Sequence, residues 1–165
     1  MTSGVSHRHG TPVSIQIVLC RHADAVGEGP GLPDEHRYLS LEGRRAARAL
    51  GDLLADASIR VAAAASSPLV RAVQTAELVV GAIGWAGPIE ATHRLAPGAR
   101  SRTAADWLAQ SAQAVAGRGA LVCFGHEPSI SGLAELLGGG EHVSAFRKAE
   151  ACLIEDGAIR WRLSP

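Results

Sequence analysis

The chain reads as an α/β domain: three layers (α/β/α), a mostly parallel sheet of about six strands, and an antiparallel hairpin at the C-terminus. Three observations predict it. Short apolar runs alternate with amphipathic stretches of helical period from about Ser14 onward. Caps, prolines and glycines punctuate the joins. The last two apolar runs are separated only by Asp156-Gly157, a hairpin turn rather than a crossover.

The first strand is expected over Ser14 to Cys20, and the stretch from Ala25 to Ser40 is too rich in turn formers to be regular. Ser40 is a good N-cap for a first helix with Ala46, Ala47, Leu50, Leu53 and Leu54 inward and Arg44, Arg45, Arg48, Asp52 and Asp56 outward. A second strand, Arg60 to Ala65, ends in Ser66-Ser67-Pro68, read as a cap followed by proline at the first helical position. The second helix then buries Leu69, Val73, Ala76 and Val80. A short third strand is expected over Ile89 to His93, and a third helix over Arg102 to Ala116 with Ala104, Leu108 and Val115 inward. The fourth strand is Ala120 to Phe124. Pro128 opens a fourth helix that buries Ile130, Leu133, Ala134 and Leu137 and stops at Gly138-Gly139-Gly140. Glu150 to Glu155 and Ala158 to Leu163 form the hairpin, and the alternation of Ile159, Trp161 and Leu163 with Arg160 and Arg162 marks an edge strand. The three tryptophans, Trp85, Trp107 and Trp161, read as core or sheet cover.

At 165 residues the chain is expected to form one domain, residues 13–165, behind a flexible tail, residues 1–12, that lacks a signal-peptide core. Net charge is zero, which argues against a nucleic-acid partner. No apolar run approaches the roughly 18 residues of a membrane span, so no membrane association is expected. Lys148 is the only lysine, and the alanine, glycine and arginine usage points to a GC-rich bacterial genome. Three cysteines, Cys20, Cys123 and Cys152, all in expected strands, read as reduced, buried thiols of a cytoplasmic protein. Cysteine-based phosphatase chemistry needs an arginine shortly after the thiolate. Val26, Ser129 and Ala158 stand at that spacing, which excludes it.

Two histidines close apolar strands: His22, after Arg21, and His126, after Phe124-Gly125. Arg71 stands on the first turn of the second helix. Ligands of such sheets bind beyond the carboxyl ends of the strands, so these four residues are expected to converge. Phosphoryl transfer needs the charge of three oxygens neutralised and the group held in line with a nucleophile. Two guanidiniums, a helix N-terminus and a histidine donor meet the first need; a neutral imidazole meets the second. Neither metal nor cofactor is called for. Each residue also has a plain reading: a solvated helix arginine, a hydrogen-bonded strand-end histidine, or Arg21 paired with Asp24 or Glu127. Ser66 and Ser67 read first as helix caps, with a phosphate contact as the lesser alternative. Arg8-His9-Gly10 spells a similar signature without a strand to hold it and is set aside; His7 and His9 make a poor metal site.

The segments Arg21-His22-Ala23-Asp24-Ala25, Ser66-Ser67-Pro68-Leu69-Val70-Arg71-Ala72-Val73-Gln74-Thr75 and Phe124-Gly125-His126-Glu127-Pro128 resemble the histidine phosphatase superfamily, which includes the cofactor-dependent phosphoglycerate mutases. The short length and Tyr38-Leu39-Ser40-Leu41-Glu42-Gly43 resemble its SixA-type phosphohistidine phosphatases, and the likeness runs from about Ile15 to the C-terminus. The resemblance implies a phosphoglycerate mutase-like fold, His22 as the phosphorylated nucleophile, and Arg21, Arg71 and His126 completing the phosphate pocket. It implies a metal-independent phosphatase acting on phosphohistidine in a signalling protein, such as a histidine phosphotransfer domain, with inorganic phosphate as product. A small-molecule phosphomonoesterase or nucleotide phosphatase is the alternative, and a non-catalytic phosphoprotein-binding module the second. Larger relatives take a general acid from the third-strand region. Glu90-Ala91-Thr92-His93-Arg94-Leu95-Ala96-Pro97-Gly98 has no carboxylate after the strand, leaving Asp24, Glu127 or His93 as candidates.

Overall fold

Three short, largely buried apolar runs pair in parallel as interior strands, and a three-residue edge strand joins them. In the structure, a computed structural model that describes residues 13–165, these are β1 (Gln16–Arg21), β2 (Val61–Ser66), β3 (Ile89–Ala91) and β4 (Ala120–Gly125). The expected tail, residues 1–12, with His7 and Arg8-His9-Gly10, lies outside the described residues. β5 (Ala151–Glu155) pairs antiparallel with β1, and β6 (Ala158–Leu163) antiparallel with β5. The sheet has six strands in the order β3-β2-β4-β1-β5-β6, so the C-terminal strand is an edge.

Helices α1 (Leu41–Asp56) and α2 (Val70–Ala82) cover one face; α3 (Ser101–Ala114) and α4 (Ser129–Leu137) cover the other. The two-residue period of the strands divides the core. Val18, Cys20, Val122 and Phe124 pack under α1 and α2, while Leu19, Leu121, Cys123 and Cys152 pack under α3 and α4. All three cysteines are free and buried. None of the described helices is long and apolar enough to cross a membrane.

β4 lies between β1 and β2, and the crevice beyond their carboxyl ends is where such a sheet takes a ligand. Two devices hold this end in place. The Ser40 hydroxyl accepts from Gly43 N at 3.0 Å, capping α1, and donates to Asp24 Oδ2 at 2.7 Å. Gly43 is forced: a Cβ there would stand 1.9 Å from the Asp24 carbonyl oxygen. The helix start is therefore pressed onto the loop that follows His22.

Three expectations need correction. Arg21 closes β1 inside the strand, bonded through its N–H to Glu150 O at 2.9 Å. α2 begins at Val70, so Pro68 is not its first residue; Ser67 accepts from Leu69 N at 3.3 Å ahead of the helix. The buried stripe of α2 is consequently rotated to Arg71, Ala72, Thr75, Ala76, Val79 and Val80, leaving Leu69 and Val73 half-buried. β3 stops at Ala91, and His93 and Arg94 lie in a 3-10 turn, His93–Leu95, begun by the Thr92 side chain. A second 3-10 turn, Asp34–His36, sits within the stretch expected to be irregular.

Candidate active site

His22 leaves β1 with its N–H on Gly125 O at 3.0 Å, which ties the strand-end histidine to the strand that delivers the other one. The two imidazoles lie with centroids 5.0 Å apart, tilted by 51°. His22 Nδ1 stands 2.7 Å from the Ala23 carbonyl oxygen. A carbonyl only accepts, so Nδ1 carries the proton and Nε2 carries the lone pair. Thr75, buried on α2, bridges its own helix to this loop: its hydroxyl donates to Arg71 O at 2.7 Å and accepts from Ala23 N at 3.1 Å.

His126 Nε2 is 2.8 Å from the Ser67 hydroxyl, which also accepts from Leu69 N. Among the described residues no other acceptor is within reach of the Ser67 proton, so it goes to Nε2 and leaves His126 protonated at Nδ1. That Nδ1 is buried without a partner. So are Nε of Arg21 and Nε of Arg71. Three of the four orphaned buried polar side-chain atoms among the described residues thus belong to this one cluster, and all three are N–H donors. Unpaired buried donors cost about 1–3 kcal/mol each, and an oxyanion between them would satisfy all three.

Both histidines are held neutral. Burial lowers the His22 pKa to about 4, with Arg71 and Arg21 adding to the effect against the Ala23 bond. Burial, His22 and Arg71 lower that of His126 to about 3, opposed by Asp34. The second histidine therefore donates through its neutral tautomer.

The arginines are oriented from behind. Arg21 Nη1 donates to Phe146 O at 2.6 Å, and Phe146 N donates to Glu127 Oε1 at 2.8 Å. Arg162 lies over the Phe146 ring at 4.4 Å. Arg71, with 6% of its side chain exposed, donates from Nη1 to Asp34 O at 2.7 Å and from Nη2 to Asp34 Oδ2 at 3.0 Å. Arg37 takes the other Asp34 oxygen at 3.0 Å. Burial would raise the Asp34 pKa, but the bonds from Arg71 and Arg37 prevail and lower it.

The structure brings together the four residues expected to converge: Arg21, His22, Arg71 and His126. Arg21 pairs with neither Asp24 nor Glu127. Asp24 is bonded to Lys148 Nζ at 2.6 Å, which with Ser40 lowers its pKa; Glu127 accepts from Ser131 Oγ and Phe146 N. Sequence reasoning missed two partners. Asp34 sits in a stretch with no periodicity, and Ser67, expected as a cap or a phosphate contact, instead bonds His126. The Ser-Ser-Pro-x-x-Arg spacing held the only available signal for Ser67. Among the described residues no three His, Cys, Asp or Glu side chains are placed to hold a metal ion.

Strand-end histidines and buried arginines on a three-layer sheet thus gather unpaired donors of Arg21, Arg71 and His126 in one cluster, an arrangement that can take an oxyanion. The model of the histidine phosphatase superfamily (branch 1) matches residues 17–97, the stretch that contains Arg21, His22, Ser67 and Arg71. Over that stretch, just under half of the chain, the sequence is that of the superfamily, and with the fold it supports a hydrolase of phosphoryl groups. Among solved structures it is similar to the protein histidine phosphatase SixA complexed with tungstate (TM-score 0.82, 21% identity, 90% of this chain and 96% of that one). It is similar to a candidate phosphohistidine phosphatase SixA from Agrobacterium tumefaciens (TM-score 0.77, 26% identity, 94% and 99%). A phosphoglycerate mutase from Bacillus anthracis shares the fold at greater distance (TM-score 0.64, 15% identity, 90% and 91%). No curated protein matches the sequence.

Proposed function

We propose that the protein dephosphorylates phosphohistidine on a phosphotransfer protein through a phosphorylated His22. The carrying observation is a donor-rich anion pocket whose neighbouring carboxylates are already bound. Asp24 is ion-paired to Lys148, and both Glu127 oxygens accept protein hydrogen bonds. Neither holds a proton for a leaving group. That suits a leaving group that needs little help.

In the first step the His22 Nε2 lone pair attacks phosphorus, and the substrate's P–N bond breaks as the new one forms. The Ala23 carbonyl stabilises the charge developing on the ring through Nδ1–H. Arg21 Nε–H, Arg71 Nε–H and His126 Nδ1–H hold the phosphoryl oxygens. A phosphohistidine protonated on its second nitrogen expels neutral imidazole, whose conjugate acid has a pKa of about 6.5. An ester expels a far more basic alkoxide, and each pKa unit is worth about 1.4 kcal/mol. In the second step water attacks phosphorus, the P–Nε2 bond breaks, and inorganic phosphate leaves with the water's proton passed to the phosphate or to solvent. The similar SixA binds tungstate, a tetrahedral oxyanion, which supports an anion role for the pocket. The three free thiols fit a reducing, cytoplasmic setting.

A second reading is an ester phosphatase with His93 as proton donor, favoured by the place of His93 in a groove beside the pocket. The test uses phosphoimidazole, a phosphorylated histidine phosphotransfer domain and para-nitrophenyl phosphate, with His22→Ala as control. Expected are turnover of the two P–N substrates well above the ester, an acid-labile phosphoenzyme, and loss of both in His22→Ala. Turnover that survives His22→Ala rejects the mechanism; ester turnover above P–N turnover, lost in His93→Ala, favours the second reading.

A further inference from the structure

A groove of about 660 Å³ opens beyond the end of β3, lined among others by Glu90, Thr92, His93, Arg94, Arg100 and Thr103. It adjoins the phosphoryl pocket. Thr92 N donates to Ser66 O at 2.8 Å, and Ser66 precedes the serine bonded to His126. The Leu95 carbonyl lies 3.5 Å from where a Cβ of Gly125 would be, one residue before His126. A group attached to a phosphoryl in the pocket therefore has this groove as neighbouring space.

Its charge is unspent. Arg94 and Arg100 are exposed and make no ion pair among the described residues, whereas Arg37, Arg71, Lys148 and Arg162 are each paired. The guanidinium of Arg94 is kept in place over the Trp107 ring, 5.6 Å from its centroid, while the residue stays exposed. Glu90 is the one carboxylate in the lining, against two arginines and His93. The volume is ample for several side chains. Because the groove is open to solvent, a lone small anion gains little there over water and salt. Several charges carried on one chain, anchored by a phosphoryl group already bound, act at high effective concentration.

Resting on the phosphohistidine reading above, we propose that this groove selects protein substrates with acidic residues flanking the phosphohistidine, held by Arg94 and Arg100.

Three substrates test it: phosphoimidazole, a phosphohistidine peptide with Asp and Glu on either side, and the same peptide with Ser in their place. In wild type the acidic peptide should exceed the Ser peptide in kcat/KM by about tenfold at low salt, and the ratio should shrink as salt rises. In Arg94→Glu/Arg100→Glu the preference should vanish or invert, while phosphoimidazole turnover stays within about twofold, which reports an intact fold and pocket. Equal turnover of the two peptides by wild type, or a preference that survives the charge reversal, overturns the proposal while leaving the phosphohistidine reading in place. Failure of wild type to hydrolyse any of the three, with ester turnover intact, overturns that reading and this proposal with it.

Discussion

The carboxyl edge of the sheet carries two arginine-and-histidine clusters that differ in almost every physical respect. Around β1 and β4, Arg71 and His126 are 5% and 3% exposed, and every ring or guanidinium is bonded from behind by Ala23, Ser67, Phe146 or Asp34. Beyond β3, His93 and Arg94 in a 3-10 turn and Arg100 at the start of α3 are exposed and pair with no acid among the described residues. The contrast separates two tasks. A charge stabilised in a transition state must be met by donors fixed beforehand, since reorganisation would cost barrier height. A charge used to recognise a flexible partner needs only reach and sign. Substitutions in the first cluster should change chemistry on every substrate; those in the second should change only which substrate arrives.

The largest effect should come from Arg71. Arg71→Ala removes a fixed donor from the phosphoryl oxygens and should lower kcat/KM by about 10²–10³-fold on phosphoimidazole and phosphopeptide alike. Steady-state kinetics on both substrates checks it. A loss confined to the peptide would place Arg71 with the recognition cluster and break the contrast.

Acid should act next most strongly, and on the same side. In the proposed mechanism His22 attacks only when neutral, and its pKa is lowered to about 4, chiefly by burial. The acid limb of kcat/KM should therefore fall tenfold per pH unit below about 4 rather than below the ordinary 6.5. The same shift bears on stability. Between about 6.5 and 4 the unfolded chain binds protons that the folded histidines refuse, so stability should drop as pH falls through that window. Thermal melts of wild type against His126→Asn should show a shallower pH slope in the variant.

Ser67→Ala should cost about tenfold in kcat, because His126 loses the hydroxyl that fixes its tautomer while every phosphoryl-binding group stays in place. Ser67→Thr should recover most of it. Equal loss in both variants, accompanied by a lower Tm, would make Ser67 merely structural. Asp24→Asn and Glu127→Gln should leave the P–N bond cleavage within about threefold, since each keeps an acceptor for its partners and neither supplies a proton.

Much of the first cluster was readable in the sequence because strand ends are local facts. Ile17-Val18-Leu19-Cys20 and Leu121-Val122-Cys123-Phe124 can only be interior strands, and the histidines follow them directly. Ser40 as a cap was equally local. The start of α2 was not: the Ser66-Ser67-Pro68 pattern matched a helix opening, yet Ser67 turns to His126, and the helix waits until Val70. The turn at His93–Leu95 was hidden because Thr92 bonding to Ser66 and to Arg94 N bends the chain out of a run whose residues would suit a strand. Asp34 was invisible for a different reason. Its role depends on a loop closing over a helix 37 residues away, and composition carries no trace of that contact.

Asp34 also sharpens the contrast most finely, because it is a half-exposed carboxylate placed against a buried arginine. Two effects oppose each other there. The carboxylate and carbonyl fix the Nη edge of Arg71 and leave Nε–H for the ligand, yet the negative charge also repels a phosphoryl group. A charge-assisted bond is worth about 1.5–3 kcal/mol when fully made, and partial exposure reduces that by screening, so the net should be small. Orientation should win. Asp34→Ala is expected to raise the inhibition constant for inorganic phosphate by about threefold, with Asp34→Asn close to wild type because its amide oxygen still accepts from Nη2. If Asp34→Ala instead binds phosphate more tightly than wild type, the carboxylate is a competitor for Arg71 rather than its support. The first cluster would then be held in balance against the ligand, not prepared for it.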